Sequence, residues 1–308
     1  MPARPGGLPE VMPPALSGYA FASAPLDRAD ALRDDAQALA RLWPDAQLLV
    51  LDADGLALAD PNGQRPGFTG RDAGASALAN ALLLGVRDGQ AWFSVEADAV
   101  QVSAPQRVDL RQAAATWHED ESAAFAHARA MQHWRTRTQH CGRCGGRVAF
   151  RRAGYVASCS QCGTEHYPRV DPAVIVAVTD GQRLLLGRQA SWPEGRYSVI
   201  AGFVEPGESL EQTVVREVHE ETRVRVRSCR YLGGQPWPFP GALMLGFEAE
   251  AEPDIPKVDG ELEDARWFTV DEIAAARSPQ REHGGLRLSP SISIARALIE
   301  HWYQRMTA

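Results

Sequence analysis

The pattern of apolar and polar positions changes twice along the chain. In the first part, residues 28–42 have apolar positions at helical spacing, and residues 47–59 form two short apolar runs around an Asp-Gly turn. Such a turn between apolar runs is typical of a β-hairpin. A further strand is predicted at 91–95, and Ala-rich helical patterns dominate 110–137. No catalytic combination of residues precedes Gln139, so this part is interpreted as a packing or dimerisation domain.

The last part alternates short apolar runs with turn residues. It contains the strongest helical pattern of the chain, residues 210–222, and a final helix at 292–306. Strands are predicted at 173–179, 183–188, 197–203, 224–231, 243–249 and 266–269. Hairpin-linked strands with a few helices are typical of an α+β or α/β/α sandwich.

Composition makes the chain a globular protein whose charge is unevenly distributed. The 308 residues are 44% hydrophobic, which is enough for one large domain or two compact ones. The net charge of −7 argues against a protein that coats nucleic acid with its whole surface. Residues 122–164, however, contain no acidic residue and seven arginines: Arg129, Arg135, Arg137, Arg143, Arg147, Arg151 and Arg152. These arginines could bind phosphates, or they could form a solvated surface or internal contacts with the acidic remainder.

The amino terminus gives no targeting signal. Its first 18 residues are rich in Pro and Gly and have no continuous apolar core, and no stretch approaches the roughly 20 apolar residues of a membrane span. We therefore expect a cytoplasmic protein with no membrane partner.

Four of the five cysteines form two Cys-x-x-Cys pairs, at Cys141 and Cys144 and at Cys159 and Cys162. The 14 residues between the pairs are close to the spacing of four-cysteine zinc sites. With four protein ligands and no open position for water, one such Zn²⁺ per chain would be structural. The alternative is a pair of free or redox-active dithiols. Cys229 stands alone in a predicted strand and is interpreted as a small core residue.

Acidic residues are concentrated in the helix predicted at 210–222. Glu217, Glu220 and Glu221 stand at i, i+3 and i+4, so all three carboxylates share one face. Like charges placed in this way repel unless a cation neutralises them, and Mg²⁺ prefers carboxylate oxygens. Arg216 could orient Glu208 or a ligand carboxylate.

The segment from Gly202 to Val224 resembles the Nudix box, which is Gly, five residues, Glu, seven residues, and Arg-Glu-apolar-x-Glu-Glu-x-Gly-apolar. The match holds at every defined position except one, because Arg223 stands where the pattern has Gly. That position commonly ends the helix in a left-handed turn. We therefore expect Arg223 to cost some stability or to shift the end of the helix, and not to remove a ligand.

A second motif narrows the resemblance to one branch of that family. The segment Gln235-Pro-Trp-Pro-Phe-Pro-Gly-Ala-Leu-Met244 is similar to the SQPWPFPxSLM signature of the NADH pyrophosphatase (NudC-type) Nudix hydrolases. Gly234 and Ala242 replace its two serines, which leaves the substrate preference open. The resemblance implies an α+β chain: a smaller α/β domain at 1–137, a zinc ribbon at 138–168 and a Nudix α/β/α sandwich at 169–308.

The resemblance also implies a reaction, namely hydrolysis of the pyrophosphate bond of NADH or NAD⁺ to nicotinamide mononucleotide and AMP. In bacterial members it further implies removal of an NAD cap from the 5′ end of RNA. Mg²⁺ or Mn²⁺ would be held by Glu217, Glu220, Glu221 and, from a loop, Glu261; the neighbours Glu263 and Asp264 leave that last assignment open. Any of the box glutamates could be the general base.

For the substrate pocket, the resemblance points to two aromatic rings, Tyr167 and Phe203, that would stack on a base. Alternatively, Phe203 is a strand core residue and Tyr167 anchors a linker. Further pocket positions are Ala201, Gln235, Trp237, Phe239, Ala242, Met244, Ile175 and Ala295. The resemblance also implies a homodimer, with Tyr167 and the final helix as the expected contacts. The alternatives are a Nudix hydrolase that prefers ADP-ribose or other dinucleotides, a noncatalytic nucleotide sensor or RNA-binding ribbon protein, and RNA decapping as the main task.

Overall fold

A computed structural model of the chain describes residues 16–22, 26–258, 260–278 and 285–308. Contacts between α-carbons divide them into two compact units. The first contains residues 21–22, 26–170 and 237–241, and the second contains residues 16–20, 171–236 and the described residues from 242 onward. The domain boundaries at 137 and 168 remain a prediction.

The first unit contains a five-stranded sheet in the order β3-β4-β1-β2-β5. The strands are β1 (Gln47–Leu51), β2 (Ala57–Ala59), β3 (Leu82–Arg87), β4 (Gln90–Glu96) and β5 (Gln106–Val108). The helices are α1 (Ala36–Leu42), α2 (Gly70–Ala73), α3 (Leu110–Thr116) and α4 (Glu119–Arg137). The predicted hairpin is confirmed, since β1 and β2 pair antiparallel, and the strand predicted at 91–95 is part of β4.

Two helical stretches of the first unit are interrupted where a polar side chain caps a new helix. The stretch predicted at 28–42 is a 3₁₀ helix, Asp30–Asp34, followed by α1, and the Asp35 carboxylate between them accepts a hydrogen bond from the Ala38 N–H. The stretch at 110–137 divides into α3 and α4, where the His118 side chain caps α4. A capping side chain competes with continuation of the preceding helix, which the apolar spacing alone does not reveal.

The cysteine region forms a small antiparallel sheet of three strands, β6 (Val148–Arg151), β7 (Val156–Cys159) and β8 (Glu165–His166). It packs on the rest of the first unit through an edge-to-face contact between Phe150 and Trp134 of α4, with ring centroids 5.6 Å apart.

The second unit contains a six-stranded mixed sheet in the order β12-β13-β9-β10-β14, with β11 paired to β9. The strands are β9 (Asp171–Thr179), β10 (Leu184–Arg188), β11 (Ile200–Phe203), β12 (Val226–Trp237), β13 (Ala242–Ala251) and β14 (Asp264–Phe268). The helices are α5 (Leu210–Thr222), α6 (Val270–Arg277) and α7 (Ile294–Thr307). All six predicted strands are present, and α5 has the predicted bounds. The sequence did not predict α6.

Alternate residues of the central strand β9 face two different cores. Val174, Val176 and Val178 pack with Val214 and Val218 of α5. Ile175 and Ala177 pack on the opposite side, against α6 and α7. A strand whose successive side chains are buried on both faces must lie between two helical layers, so the α/β/α sandwich is confirmed. Among the described helices, none combines the length and apolar character that a membrane span requires.

The helix α5 ends at the position where the sequence departs from the Nudix box. Arg223 has a left-handed backbone with φ of 61°, and its N–H bonds to the His219 carbonyl at 2.8 Å. The end of the helix is therefore where a glycine would place it. A residue with a Cβ pays for this conformation in steric energy, which glycine avoids.

We therefore predict that Arg223→Gly raises the free energy of unfolding by about 0.5–1 kcal/mol, because relief of the left-handed strain exceeds the added entropy of the unfolded chain. Chemical denaturation measures this. Arg223→Ala is the matched control: it removes the same side chain but keeps the Cβ, and should give no gain. A gain of equal size in both variants would locate the effect in the Arg side chain instead.

Candidate active site and zinc site

The glutamates of α5 have fixed positions because the helix is anchored at its start and along its apolar face. Ser209 and Gln212 form a capping box that fixes the start of the helix, and Val214 and Val218 are fully buried. The positions at i, i+3 and i+4 that contain Glu217, Glu220 and Glu221 are thereby set on one side.

Arg216 is the centre of a carboxylate network. Its guanidinium donates two hydrogen bonds to Glu208, at 2.6 Å to Oε1 and 2.9 Å to Oε2. It also donates to Glu217 and to Glu220, each at 2.9 Å. A further bond at 2.9 Å reaches the carbonyl of Phe203, at the end of β11. One planar cation therefore fixes the start of the box, the strand before it and two glutamates of the helix.

The carboxyl groups of the site differ in pKa because their surroundings differ. Hydrogen bonds from Arg216 lower the pKa of Glu208 to about 2, so this carboxylate is ionised at neutral pH. Burial raises the pKa of Glu221 to about 8, and the charges of Glu261 and Glu217 act in the same direction. Burial also raises the pKa of Glu217. Desolvated carboxyl groups that repel each other favour a nearby cation, and hard divalent ions prefer oxygen ligands. The donor set therefore fits a hard divalent cation.

Space for the Glu217 carboxylate depends on the first glycine of the box. A Cβ at Gly202 would lie 1.9–2.3 Å from the Glu217 carboxyl atoms. No side chain fits there unless Glu217 moves, and Glu217 is the flexible partner.

We predict that Gly202→Ala preserves the fold and lowers kcat about 10–100-fold, because a displacement of about 1 Å in a reacting site has an effect of this order. Steady-state kinetics and thermal unfolding measure the two quantities. Gly67→Ala is a suitable control, because a Cβ there meets nothing within 4 Å. Full activity of Gly202→Ala would contradict a catalytic role for the position of Glu217.

The structure distinguishes the three acidic residues after Gly260. The Glu263 carboxylate pairs with Arg188, and the Asp264 carboxylate accepts a bond from the Tyr197 hydroxyl at 2.5 Å. Glu261 is exposed, has no hydrogen-bond or ion-pair partner among the described residues, and acts electrostatically on Glu217 and Glu221. Of the three, Glu261 is therefore the residue with a carboxylate available to the site.

Several predicted pocket residues lie together on the α7 side of the sheet. Phe203, Ala173 and Met244 are directly opposite one another on the neighbouring strands β11, β9 and β13. Two residues along the same pair of strands, Ala201 is opposite Ile175. Both pack in the core cluster that includes Ala295. Phe203 is 60% exposed at the end of this row. Its ring is therefore available for stacking, whereas Ile175 and Ala295 are buried beneath.

Gln235 occupies a different place from the one its assignment to the substrate pocket would require. It is completely buried, and its amide donates to the carbonyls of Ala20 and Ile292 and accepts from the N–H of Ile294. These bonds fix the start of α7. A side chain enclosed in this way supports the pocket wall and does not itself face solvent.

The remaining predicted pocket residues lie at the start of β13 and in the first unit. Ala242 begins β13, opposite Asp171 of β9. In the first unit, Trp237 and Phe239 make an edge-to-face contact at 4.9 Å, and the Arg111 guanidinium lies 3.9 Å from the Phe239 ring centroid. Tyr167 is 57% exposed, and its hydroxyl donates to Glu165 at 2.6 Å.

The four paired cysteines bring their sulfur atoms within 4.8 Å of one another. Their sulfur atoms are separated by 3.7 Å between Cys141 and Cys162, 3.5 Å between Cys144 and Cys159, and 3.4 Å between Cys144 and Cys162. Four sulfurs at about 2.3 Å from one Zn²⁺ would be about 3.8 Å apart. Of the described residues, only these four bring three or more potential ligand atoms of Cys, His, Asp or Glu within 4.8 Å of one another.

The two pairs have matching backbone geometry. In each, the N–H two residues after the first cysteine points to its sulfur at 3.4 Å, from Arg143 and from Gln161. Gly145 and Gly163 follow the second cysteines with φ of 75° and 70°. The predicted turns are therefore present, and the donor set fits a structural zinc ion.

The seven arginines of the basic segment have different environments. Arg152 pairs with Asp34 at 3.0 Å and Asp30 at 3.2 Å, and Arg135 donates to the Asn80 carbonyl, so both serve internal contacts. Four others are exposed and make no side-chain hydrogen bond or ion pair with any described residue: Arg137, Arg143, Arg147 and Arg151. Internal contacts are therefore observed for Arg152 and Arg135. For the four exposed arginines, phosphate binding stays a prediction beside the alternative of a solvated surface.

Three family models match consecutive parts of the chain. The NUDIX domain model matches residues 169–287 and the NADH pyrophosphatase zinc ribbon domain model matches residues 136–167. A third model, the NADH pyrophosphatase-like rudimentary NUDIX domain, matches residues 38–134. The fold and the glutamate helix thus define a Nudix hydrolase.

Full-length relatives identify the branch. The chain is 40% identical to the NAD-capped RNA hydrolase NudC of Mycobacterium bovis (strain BCG / Pasteur 1173P2) over 90% of this chain and 92% of the relative. It is 40% identical to the protein of that name from Stutzerimonas stutzeri over 72% of this chain and 77% of the relative. The chain therefore belongs to the NudC family of Nudix hydrolases, as its two motifs predicted.

Residues 38–134 are similar to a rudimentary NUDIX domain, a relationship that the sequence did not predict. The interpretation of this part as a packing or dimerisation domain stays a prediction. None of the described helices between residues 38 and 134 has glutamates at i, i+3 and i+4, so no such pattern indicated this relationship to a NUDIX domain. The one sequence signal was the order of the hairpin strands and helices, which many α/β domains share.

Proposed function

We propose that this protein hydrolyses the pyrophosphate bond of NADH and NAD⁺, giving nicotinamide mononucleotide and AMP, and removes the NAD cap from RNA 5′ ends. The carboxylate network around Arg216 is the observation on which this proposal rests. The names of the relatives, NAD-capped RNA hydrolases, support the choice of substrate.

The residues of the network have separate tasks in this proposal. Glu217, Glu220, Glu221 and Glu261 would hold Mg²⁺ or Mn²⁺, which when bound neutralises phosphate oxygens and lowers the pKa of a coordinated water. Arg216 orients Glu217 and Glu220 and, through the Phe203 carbonyl, keeps the helix aligned with β11. Glu208 remains ionised and holds Arg216 in place.

The exposed ring of Phe203 supports recognition of a substrate with a flat base. Stacking on an aromatic ring contributes about 1–3 kcal/mol per base and tolerates different bases. The Met244 side chain, in the same row of the sheet, would extend that apolar surface. A ring at this place can hold either end of a dinucleotide, so the identity of the products decides the preference.

The function is tested with the purified zinc-loaded protein in Mg²⁺ or Mn²⁺, offered NADH, NAD-capped RNA, ADP-ribose and diadenosine polyphosphates in parallel. We expect nicotinamide mononucleotide with AMP from NADH, and nicotinamide mononucleotide with 5′-monophosphate RNA from the capped RNA. Both reactions should stop with EDTA. If ADP-ribose or a diadenosine compound is turned over faster than NADH, that compound is the preferred substrate. If none of the four substrates is turned over, the result favours a noncatalytic nucleotide sensor.

The exposed arginines of the ribbon give the capped RNA a contact that free NADH lacks. We predict that the triple change of Arg143, Arg147 and Arg151 to Ala lowers kcat/KM for NAD-capped RNA about tenfold or more. The same triple change should leave kcat/KM for NADH within about twofold of the value for the unchanged protein. Three lost phosphate contacts would reduce the slope of log affinity against log salt by about 2.

Arg152→Ala is the matched control in the same segment, because Arg152 already pairs with Asp30 and Asp34. We expect it to affect stability and not to distinguish the two substrates. Equal losses on NADH and on capped RNA in the triple variant would contradict a contact with the RNA chain.

Assembly and location are further proposals. The family resemblance supports a homodimer, with the exposed Tyr167 and α7 as the expected contacts, and light scattering at several concentrations tests it. A cytoplasmic location is also expected and would be tested by fractionation of the source cells. Mn²⁺ and Mg²⁺ titrations of activity decide between the two ions.

A further inference from the structure

We propose that Arg188 and Tyr197 are positioning residues. They hold the loop that contains Glu261 at the active site through contacts with Glu263 and Asp264. The proposal rests on the proposed metal site, to which Glu261 contributes. It concerns two residues outside the Nudix box that the sequence did not single out.

Arg188, the last residue of β10, binds the loop at two points. Its carbonyl accepts a bond from the Glu263 N–H at 2.9 Å, and its guanidinium pairs with the Glu263 carboxylate. The guanidinium also donates to the Pro193 carbonyl at 3.0 Å. The Arg188 side chain is 13% exposed, so it is enclosed by these contacts and is not available to bind a substrate phosphate.

Tyr197 fixes the residue at which the loop ends, the first residue of β14. Its hydroxyl donates to the Asp264 carboxylate at 2.5 Å, and its ring packs edge to face on Phe268, with centroids 5.0 Å apart. Tyr197 is 7% exposed. A buried tyrosine whose ring is held on one side and whose hydroxyl binds a carboxylate on the other cannot move without moving that carboxylate.

Leu262, which lies between Glu261 and Glu263, anchors the loop in the core. It is 6% exposed, and a Cβ at Gly187 would lie 2.7 Å from its nearest methyl group. The glycine before Arg188 therefore makes room for Leu262. Of the three acidic residues at 261–264, Glu261 is therefore the one whose side chain is not held by a described residue.

The four residues 261–264 therefore have two different roles: three are held in place, and the first is available to the metal site. Leu262, Glu263 and Asp264 are held by β10 and by Tyr197, and the backbone of Glu261 is fixed as a result. Residues that orient a ligand without contacting the metal commonly change metal affinity about 10–100-fold when removed. Arg188 and Tyr197 should act in this way, through Glu261 and not by contact with substrate.

The test measures binding of Mn²⁺ alone to the full zinc-loaded chain by electron paramagnetic resonance, together with kinetics. We expect Arg188→Ala to raise the dissociation constant of Mn²⁺ about tenfold, Tyr197→Phe about threefold, and Arg188→Lys less than Arg188→Ala. Circular dichroism and thermal unfolding confirm that each variant is folded. Arg277→Ala is the matched control, because it breaks a similar ion pair, with Glu300, between α6 and α7.

The decisive comparison repeats Arg188→Ala in a Glu261→Ala background. If Arg188 acts through Glu261, it has no further effect on Mn²⁺ affinity there, and the two changes are not additive. Full additivity, or unchanged affinity in Arg188→Ala while Glu261→Ala is impaired, would overturn the positioning role alone. Unchanged affinity in Glu261→Ala would overturn the role of Glu261 in the metal site and, with it, the positioning role.

Discussion

Replacement of Glu220 by glutamine is expected to lower kcat about 10³-fold while the protein continues to bind nucleotide. The change preserves the shape of the side chain and removes one carboxylate from the face that also contains Glu217 and Glu221. A metal site contributes several kcal/mol to stabilising charge in the transition state, and about 4 kcal/mol corresponds to a thousandfold change in rate. Kinetics on NADH and a fluorescence titration of NADH binding measure the two properties.

The best control for this variant lies on the same helix. Glu211 is an exposed residue in the first turn of α5, and Glu211→Gln makes the same change in charge. We expect it to leave kcat within about twofold. The Glu220 side chain is 56% exposed, so its loss should not unfold the helix. Near-normal activity of Glu220→Gln would exclude the proposed role of this face and would favour a noncatalytic nucleotide-binding protein.

The sequence was most informative where a chemical requirement and a folding requirement coincide. The spacing from Gly202 to Glu221 predicted the helix to the residue and placed three carboxylates on one face. The structure adds a physical reason for the spacing: Gly202 leaves room for Glu217, and Arg216 connects the helix to Glu208. Such contacts join residues that are close along the chain, which is why a local pattern could reveal them.

Residues that act through distant contacts could not be assigned in this way. Gln235 is part of a recognisable signature, but its partners Ala20 and Ile292 are far from it in sequence. In the sequence, Arg152 does not differ from its basic neighbours, but in the structure it pairs with Asp30 and Asp34. Arg188 gave no signal at all, because a single arginine at the end of a strand has no pattern. In each case the partner, and not the residue itself, determines the role.

The same argument applies to the first domain. Its strands β3 and β5 were not predicted, since β3 is a run of mainly buried residues without alternation and β5 has three residues. A short strand is stable only when a neighbouring strand pairs with it, and that pairing is not a local property. The resemblance of this domain to a rudimentary NUDIX domain is therefore visible in comparisons of whole domains and not in any motif.

Loss of one zinc ligand is expected to have the largest effect on stability. We predict that Cys141→Ser reduces bound zinc from about one per chain to nearly none and unfolds the ribbon. Structural zinc sites contribute about 10–16 kcal/mol of apparent binding free energy, which is comparable to the whole stability of a domain. The three short strands of the ribbon have little core of their own, so they cannot compensate. Elemental analysis and thermal unfolding measure the outcome.

The effect should extend beyond the ribbon, because its residues contact the rest of the first unit. Phe150 packs on Trp134, and Arg152 pairs with Asp34, so unfolding of the ribbon removes both contacts and should lower the melting temperature of that unit. Cys229→Ser is the matched control: Cys229 lies alone in β12 and should retain the full zinc content. If Cys141→Ser kept one zinc per chain, or if Cys229→Ser lost it, the four-cysteine site would be wrong.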